Sequence, residues 1–467
     1  MDKTQQILKT RDDNKPIDFL KVENPEDSTK PFVLKEGDSC PWLKKDASFG
    51  TTELRPRIEP WLTALCQSEH LSLLLGSGLT HAVHHLATGK KDLQGMATVD
   101  FGAHNELIEN EANRSAKLAI RAIGNFEDQI RAANELLRGL EIYSVGDSEL
   151  EREANDLKLR LAKNISCFAD SILQGEQEIV AAENGMRADA FNYLVSFLMS
   201  FASRTGTRDR LNIFTTNYDR LIEAGAEVAG MHLLDRFVGS LSPVFRSSRL
   251  DLDLHYNPPG IRGEPRYLEG VARFTKLHGS MDWVSRDRDI IRLGVPFGAR
   301  ALKPFLETVD VREGSGLQIM IYPNAAKDRE TASYPYVELF RDFAASVCRP
   351  NHTLIAFGYS FGDEHINRVI EDMLTIPSTH LVIISYSDPL QRIMNTYERL
   401  GRHAQISLMI GNHIGDFQTL VDHYLPKPAI DRTTFRMAEL LKSRFGTNHT
   451  NSEKDREVQG DLEGGVT

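Results

Sequence analysis

The chain has 467 residues, of which 41% are hydrophobic and 26% are charged, as in a globular protein that is too long for one ordinary domain. Its formal net charge of -11 argues against broad binding to nucleic acids or to anionic membranes, because such binding usually requires a basic surplus. No run approaches the roughly 20 apolar residues that cross a bilayer, and the polar start lacks the core of a signal peptide. We therefore expect a cytoplasmic protein.

Composition divides the chain into four parts. Residues 1–50 are polar and proline-punctuated, which predicts an extended N-terminal arm. Residues 51–104 and 205–446 are predicted to form one α/β domain. Residues 105–204 are rich in Ala, Leu, Glu and Arg at helical spacing but keep no sustained heptad, so we predict an inserted helical subdomain rather than a coiled coil. Residues 447–467 have almost no apolar content and are predicted to be disordered.

Short apolar runs alternate with helical segments through most of the predicted α/β domain. The runs are "LSLLLGSG" at 71, "LNIFTT" at 211, "RFTKLHG" at 273, "LQIMIYP" at 317, "TLIAFGYS" at 353, "LVIISYS" at 381 and "ISLMIG" at 406. Strands buried on both faces give such continuous runs, and the alternation is typical of a doubly wound, Rossmann-like parallel sheet. Ligands bind such sheets beyond the carboxyl ends of the strands, so the residues that end each run are the candidate site.

The first run ends in "GSGLTH", residues 76 to 81. Gly76 and Gly78 would permit a tight turn that leaves backbone N–H groups free for a pyrophosphate, although a tight strand-to-helix turn without a ligand has the same pattern. A conventional dinucleotide motif would have a third glycine where His81 stands, and a P-loop is excluded because no G-K-[ST] follows.

The run at 211 ends in "TTNYD", which offers Thr215, Thr216, Asn217 and Asp219. Asn217 and Asp219 are two residues apart and would project the same way while the chain stays extended. A carboxamide and a carboxylate together can hold a sugar hydroxyl, a nicotinamide amide or a water. The alternative is that these residues only cap the following helix.

Two further strand ends carry polar residues. His278 in "KLHGSMDW" would be placed for acid–base chemistry, although a lone histidine is more often structural. Gly358 and Ser360 in "FGYSFGDEHIN" could meet a second part of a dinucleotide, and the alternative is again a capped helix. The four cysteines form no C-x-x-C pair, so neither a zinc knuckle nor a disulfide framework is indicated.

In order along the chain, these strand ends resemble the sirtuin (silent-information-regulator) superfamily. "LLLGSGLT" stands at the place of its glycine-rich phosphate turn, "TTNYD" at that of T-x-N-x-D, "KLHGSMDW" at that of the histidine-glycine strand, and "IAFGYSFGDEHIN" at that of G-Y-S-x-x-D-x-x-I-N. The resemblance is closer to the bacterial branch of NAD-consuming antiphage-defence effectors than to the protein deacetylases. The chain lacks the four zinc-binding cysteines and the G-I-P-D-F-R-like segment of the deacetylases.

The resemblance implies roles for particular residues. Asn217 would orient the nicotinamide ribose or the attacking water, Asp219 would contact the nicotinamide carboxamide, and His278 would act as general base. The remaining residues expected to bind NAD are Gly76, Ser77, Gly78 and Thr80 at the pyrophosphate, Gly358 and Ser360 at the adenosine half, and Thr216.

The resulting hypothesis is an NAD glycohydrolase that releases nicotinamide and ADP-ribose, needs no metal and serves as an abortive-infection antiphage effector. The resemblance also implies a homo-oligomer activated in a larger complex, beside an ATPase such as a HerA-type translocase. Two alternatives stay open. One is a sensor or assembly module that binds NAD or ADP-ribose without turnover, and the other is an NAD-dependent transferase.

Overall fold

A computed structural model describes residues 5–427, except for 23–24, 26, 39, 44–46, 91–98, 119–120, 122, 145–146, 203–208, 248–252, 257–265, 269, 287–288, 309–318 and 322–333. The first of two compact units ends at Leu425, and all elements given below belong to it. The predicted tail at 447–467 lies outside the described residues. So do residues 309–318 and 322–333, which are most of the segment before the helix that begins at Tyr336.

The described strands are β1 (Gln5–Lys9), β2 (Ile17–Lys21), β3 (Phe32–Leu34), β4 (His70–Leu75), β5 (Leu211–Thr215), β6 (His232–Leu234), β7 (Phe237–Val238), β8 (Val244–Phe245), β9 (His255–Tyr256), β10 (Arg266–Tyr267), β11 (Val271–Lys276), β12 (Gly279–Arg286), β13 (Asp289–Arg292), β14 (Ile319–Ile321), β15 (His352–Phe357), β16 (His380–Ser385) and β17 (Ile406–Ile410).

The described α-helices of at least five residues are α1 (Thr51–Cys66), α2 (Ser77–Thr88), α3 (Asn105–Leu118), α4 (Phe126–Tyr143), α5 (Ser148–Ala181), α6 (Asn184–Ala202), α7 (Leu221–Val228), α8 (Lys303–Glu307), α9 (Tyr336–Val347), α10 (Glu364–Leu374) and α11 (Arg392–Leu400). None of these described helices is both long enough and apolar enough to span a bilayer.

The central sheet confirms the predicted α/β fold. Its order is β3-β2-β1-β17-β16-β15-β4-β5-β11-β6, and the strands from β17 to β6 are parallel. Successive side chains of β4 enter different cores, because Leu73 packs in the cluster that contains α6 and Leu74 packs in the cluster that contains α9 and α10. Burial on both faces explains why these strands are continuous apolar runs.

The N-terminal segment differs from the predicted extended arm. Strands β1, β2 and β3 extend the sheet in antiparallel fashion, with β1 paired to β17. Leu8 and Phe19 are buried in the main core, and the buried Lys9 donates from Nζ to the carbonyl of Ile406 at 3.0 Å. An otherwise open sheet edge offers unpaired backbone groups, and this polar segment supplies their partners.

The run at 317 also differs from its prediction as a strand of the central sheet. Its described part, β14, belongs to a second sheet of order β14-β12-β13-β8-β7, in which the strand pairs are antiparallel. The chain enters this sheet directly after β11, because Gly279 with φ +83 turns the backbone from β11 into β12. An apolar run alone does not say which sheet it will join.

The helices between residues 105 and 204 pack in two groups. Helices α3, α4 and α5 share a core with residues of β12, such as Met281 and Val284. Helix α6 instead lies against the central sheet, where Leu194 and Phe197 enter the main core. The predicted inserted subdomain therefore includes one helix that covers the sheet, because the buried residues of α6, from Ala190 to Ala202, are all apolar.

Candidate active site

The four motifs meet at one edge of the central sheet. Strands β15, β4, β5 and β11 are neighbours, and their last residues are in register: Phe357 lies opposite Leu75, Leu75 opposite Thr215, and Thr215 opposite Lys276. Each of these strands is followed within two residues by a residue predicted for the site. Since parallel strands place their carboxyl ends on the same side, the fold gathers the candidate residues at the edge where such sheets bind ligands.

The glycine turn after β4 packs directly on the turn after β15. The N–H of Gly78 donates to the carbonyl of Gly358 at 3.0 Å, and that of Gly76 donates to the carbonyl of Phe357 at 3.0 Å. A β-carbon on Gly76 would lie 2.4 Å from the Gly358 oxygen. The glycines are therefore required for close approach of two backbones, and the N–H of Gly78 is engaged by protein.

Asn217 is held by the glycine turn and the helix that follows it. Its Nδ2 donates to the carbonyl of Gly76 at 3.0 Å and to Oγ1 of Thr80 at 2.9 Å. The carbonyl can only accept, so the orientation of the amide is fixed with Nδ2 towards Gly76. Both amide hydrogens are used in this way, and the carboxamide oxygen is the atom of this buried side chain that could meet a ligand.

Asp219 completes this network and also caps a helix. Its Oδ2 accepts from Oγ1 of Thr80 at 2.7 Å, and its Oδ1 accepts from the N–H of Leu221, the first residue of α7, at 3.0 Å. Capping is thus observed for Asp219, whereas Asn217 bonds to the glycine turn instead of to α7. A carboxylate oxygen has two lone pairs, so the partly exposed Asp219 can still accept from a ligand N–H.

His278 follows β11 and contacts a histidine that the sequence analysis did not single out. The Nε2 atoms of His278 and His365 are 3.2 Å apart, and both side chains are buried. One nitrogen must donate and the other accept, so at least one ring is neutral in this contact. His365 lies in the first turn of α10, within the quoted "FGDEHIN", but helical position alone does not reveal that it meets the end of β11, three strands away from β15 in the sheet.

The remaining predicted residues lie at the same edge with different exposure. Ser77 is exposed at the start of α2, while Thr216 and Ser360 are partly exposed after β5 and β15. The backbone N–H of Thr216 donates to the carbonyl of Leu75 at 3.3 Å. These three side chains are therefore placed near the network at Asn217 without joining its hydrogen bonds.

Tyr218 connects the inserted helices to the site through a hydrogen bond. Its hydroxyl donates to Oε1 of Glu127, in the first turn of α4, at 3.1 Å. Burial, followed by the charge of Glu127, raises the pKa of the Tyr218 hydroxyl well above its usual range, so the phenol stays protonated and able to donate. The sequence showed Tyr218 inside "TTNYD" but could not show its partner 91 residues away.

Two buried ion pairs fix the backbone around this edge. Arg220 is bound by both carboxylate oxygens of Glu176 from α5. Lys276 bonds to the carbonyl of Asp219 and to Oε1 of Glu223 at 2.9 Å. Burial raises the pKa of the Glu176 and Glu223 carboxyl groups in spite of their cations. The loop from Asn217 to α7 is thus anchored from both sides by charged contacts that are costly to break.

In the part of the chain that the structure describes, no group of three or more His, Cys, Asp or Glu side chains is arranged to hold a metal ion. All four cysteines lie in the described residues and none of them is in a disulfide: Cys40 and Cys66 are buried, Cys348 is partly exposed and Cys167 is exposed. The side chains at the strand ends offer an amide, a carboxylate, hydroxyls and imidazoles.

Comparison with protein families matches residues 211–406 to the SIR2-like domain. The match runs from β5 to the start of β17, so it includes "TTNYD", His278 and "FGYSFGDEHIN", while the glycine turn and the inserted helices lie before it. It supports a relationship to the sirtuin-like superfamily and an NAD-related function, because SIR2-like domains use NAD. A comparison with curated proteins finds no match.

Proposed function

We propose that the chain is an NAD glycohydrolase that cleaves NAD and water to nicotinamide, ADP-ribose and a proton. The observation that carries this proposal is the partly buried network of Asn217, Thr80 and Asp219 beside His278 at adjacent strand ends, within or next to a SIR2-like domain. The ten-stranded sheet positions these residues on the side where open α/β sheets bind ligands.

The proposed reaction breaks the bond between nicotinamide and C1′ of ribose. The electron pair leaves with nicotinamide, which departs as a neutral molecule, so no general acid is required. The cation that develops at C1′ needs to be held in place and shielded from bulk water. The oxygen of Asn217 is suited to orient the ribose or the attacking water, since both of its amide hydrogens are already bound.

A water then bonds to C1′, and its proton must be taken up. His278 is the proposed base, acting on the water directly or through a ribose hydroxyl. In the described structure its Nε2 is 3.2 Å from Nε2 of His365, so this nitrogen is already engaged. Catalysis at Nε2 therefore requires the two imidazoles to separate or the proton to pass between them, while Asp219 would receive the N–H of the nicotinamide carboxamide.

That histidine contact is compatible with an enzyme held inactive until triggered. We propose, as the resemblance implies, an antiphage effector that kills or arrests the infected cell, works as a homo-oligomer and is activated beside an ATPase of the HerA type. The same contact also favours the second candidate, a module that binds NAD or ADP-ribose without turnover, because a base occupied by a neighbouring ring does not act.

The test is release of nicotinamide from NAD by the full-length protein, with and without a candidate activator. We expect His278→Ala to lower the rate by about 10²-fold or more, as loss of a general base does, and Asn217→Ala to lower it at least as strongly. His232→Ala is a matched control, because His232 is exposed on β6 opposite Val271, at the far end of β11. If the protein binds NAD but releases no nicotinamide in any state, the hydrolase hypothesis is rejected in favour of the module that binds NAD without turnover.

A further inference from the structure

Arg392 places a positive charge beside the turn after β15. Arg392 is the first residue of α11, which follows β16, the strand next to β15. A β-carbon on Gly362 would lie 3.1 Å from Nη1 of Arg392 and 3.5 Å from Oγ of Ser360. The guanidinium therefore borders the same turn that carries Gly358 and Ser360.

Arg392 forms no ion pair within the described part of the chain, although the carboxylates of Asp388 and Asp363 act on its charge. Its Nε is buried and has no hydrogen-bond partner there, and no described carboxylate forms an ion pair with its side chain. The carboxylate of Asp388 instead accepts from the N–H groups of Ile393 at 2.8 Å and Met394 at 3.0 Å. A partly buried guanidinium in this state is costly unless an anion completes its hydrogen bonds.

A second arginine approaches from the inserted helices. Arg121 precedes α4 and is clamped by two 2.7 Å bonds to the carboxylate of Asp128, which is fully buried. Burial and then the positive charge of Arg121 lower the pKa of Arg392, whereas the charges of Asp388 and Asp363 raise it. Asp128 neutralises Arg121, whereas no described carboxylate lies within ion-pair distance of the Arg392 guanidinium.

We propose that Arg392 binds a phosphate group of the adenosine half of the dinucleotide. Guanidinium groups bind phosphate through paired, charge-assisted hydrogen bonds, which suits a site where a carboxylate is lacking. The subsite rests on the proposed function for the identity of the whole ligand, although its chemistry requires only a phosphate.

The position of Arg392 along the sheet indicates which half of the ligand it would bind. The proposed nicotinamide residues follow β5 and β11, on one side of the glycine turn of β4, whereas Arg392 follows β16 on the other side. Three strand spacings separate the ends of β5 and β16, or about 14 Å. An elongated ligand with its nicotinamide at Asn217 would thus place its other half at Arg392. The phosphate could be that of the pyrophosphate or the 2′-phosphate of NADP.

The experiment measures binding, so it does not depend on turnover. Calorimetry would give the dissociation constants of ADP-ribose, NAD, NADP and inorganic pyrophosphate for the full-length wild type, Arg392→Gln and Arg392→Lys. Arg399→Gln is the matched control, because Arg399 lies on the same helix, is exposed and pairs with Glu371 at 3.3 Å. Since Arg392 has no described ion pair to lose, Arg392→Gln should melt at or above the wild-type temperature.

We expect Arg392→Gln to weaken ADP-ribose binding about tenfold or more, Arg392→Lys to weaken it less, and Arg399→Gln to leave it unchanged. Equal losses for NAD and NADP would assign the pyrophosphate, and a further tenfold loss for NADP alone would assign the 2′-phosphate. Equal ADP-ribose affinity in wild type and Arg392→Gln would overturn the subsite, as would wild type that binds none of the four probes. Binding that depends on Arg392 without nicotinamide release would keep the subsite and reject hydrolysis.

Discussion

Replacing Gly78 with alanine tests whether the turn after β4 packs closely against the turn after β15. The added β-carbon would lie 2.6 Å from Cα of Gly358 and 3.0 Å from its oxygen. Non-bonded carbon atoms normally lie about 3.5–4.0 Å apart, so one of the two turns must move by about 1 Å. That movement would strain the bonds from Gly76 N–H to Phe357 and from Gly78 N–H to Gly358, both of 3.0 Å.

The expected cost follows from these contacts. Overpacking of a well-packed core costs about 1–3 kcal/mol, and each of the two weakened hydrogen bonds contributes about 1 kcal/mol. The better helix propensity of alanine in α2 offsets less than about 1 kcal/mol. We therefore expect the free energy of unfolding to fall by about 3 kcal/mol in Gly78→Ala.

Urea unfolding followed by far-UV circular dichroism would measure the change. Gly139→Ala is the matched control, because Gly139 is exposed within α4 and its added β-carbon would meet no atom within 4 Å. That substitution should stabilise the protein by up to about 1 kcal/mol. If Gly78→Ala unfolds at the wild-type midpoint, or if both variants shift the midpoint in the same direction, the close packing is refuted.

Three further predictions concern buried polar groups. Arg220→Met should lower the free energy of unfolding by about 3 kcal/mol at pH 8, because it leaves the Glu176 carboxylate buried without its cation. The loss should be smaller at pH 5.5, where the Glu176 carboxyl group, whose pKa is raised by burial, protonates more readily. Burial lowers the pKa of His380 from 6.5 to about 4, so the unfolded chain binds the extra proton between these values and stability falls as pH drops through that window. At pH 5.5 this loss is about 1.4 kcal/mol, which His380→Gln should remove. Tyr218→Phe should lower stability by about 1 kcal/mol by deleting the bond to Glu127.

Urea unfolding at pH 8 and pH 5.5 would check all three. For Arg220→Met, an equal cost at both pH values would contradict the ion-pair argument. For His380→Gln, a pH dependence identical to that of the wild type would show that His380 is not held neutral by burial. Wild-type stability in Tyr218→Phe would mean that its hydroxyl bond across to α4 contributes nothing.

Several features were evident in the sequence because they depend on local chemistry. Continuous apolar runs that end in polar residues predicted a parallel sheet with its site at the carboxyl ends, since strands buried on both faces must be apolar and loops carry the polar groups. Helical spacing likewise predicted the helices between residues 105 and 204. The sheet is confirmed, while the roles of Asn217, Asp219 and His278 stay predictions.

Other features depended on which strands became neighbours, and only the tertiary structure decided them. The polar N-terminal segment became strands because β17 offered an open edge, and β14 joined a second sheet because β12 turned away after Gly279. The contacts of His278 with His365 and of Tyr218 with Glu127 join residues 87 and 91 positions apart. No local pattern encodes such pairs, since they arise from the sheet order and from the packing of α4 and α10 over the strand ends.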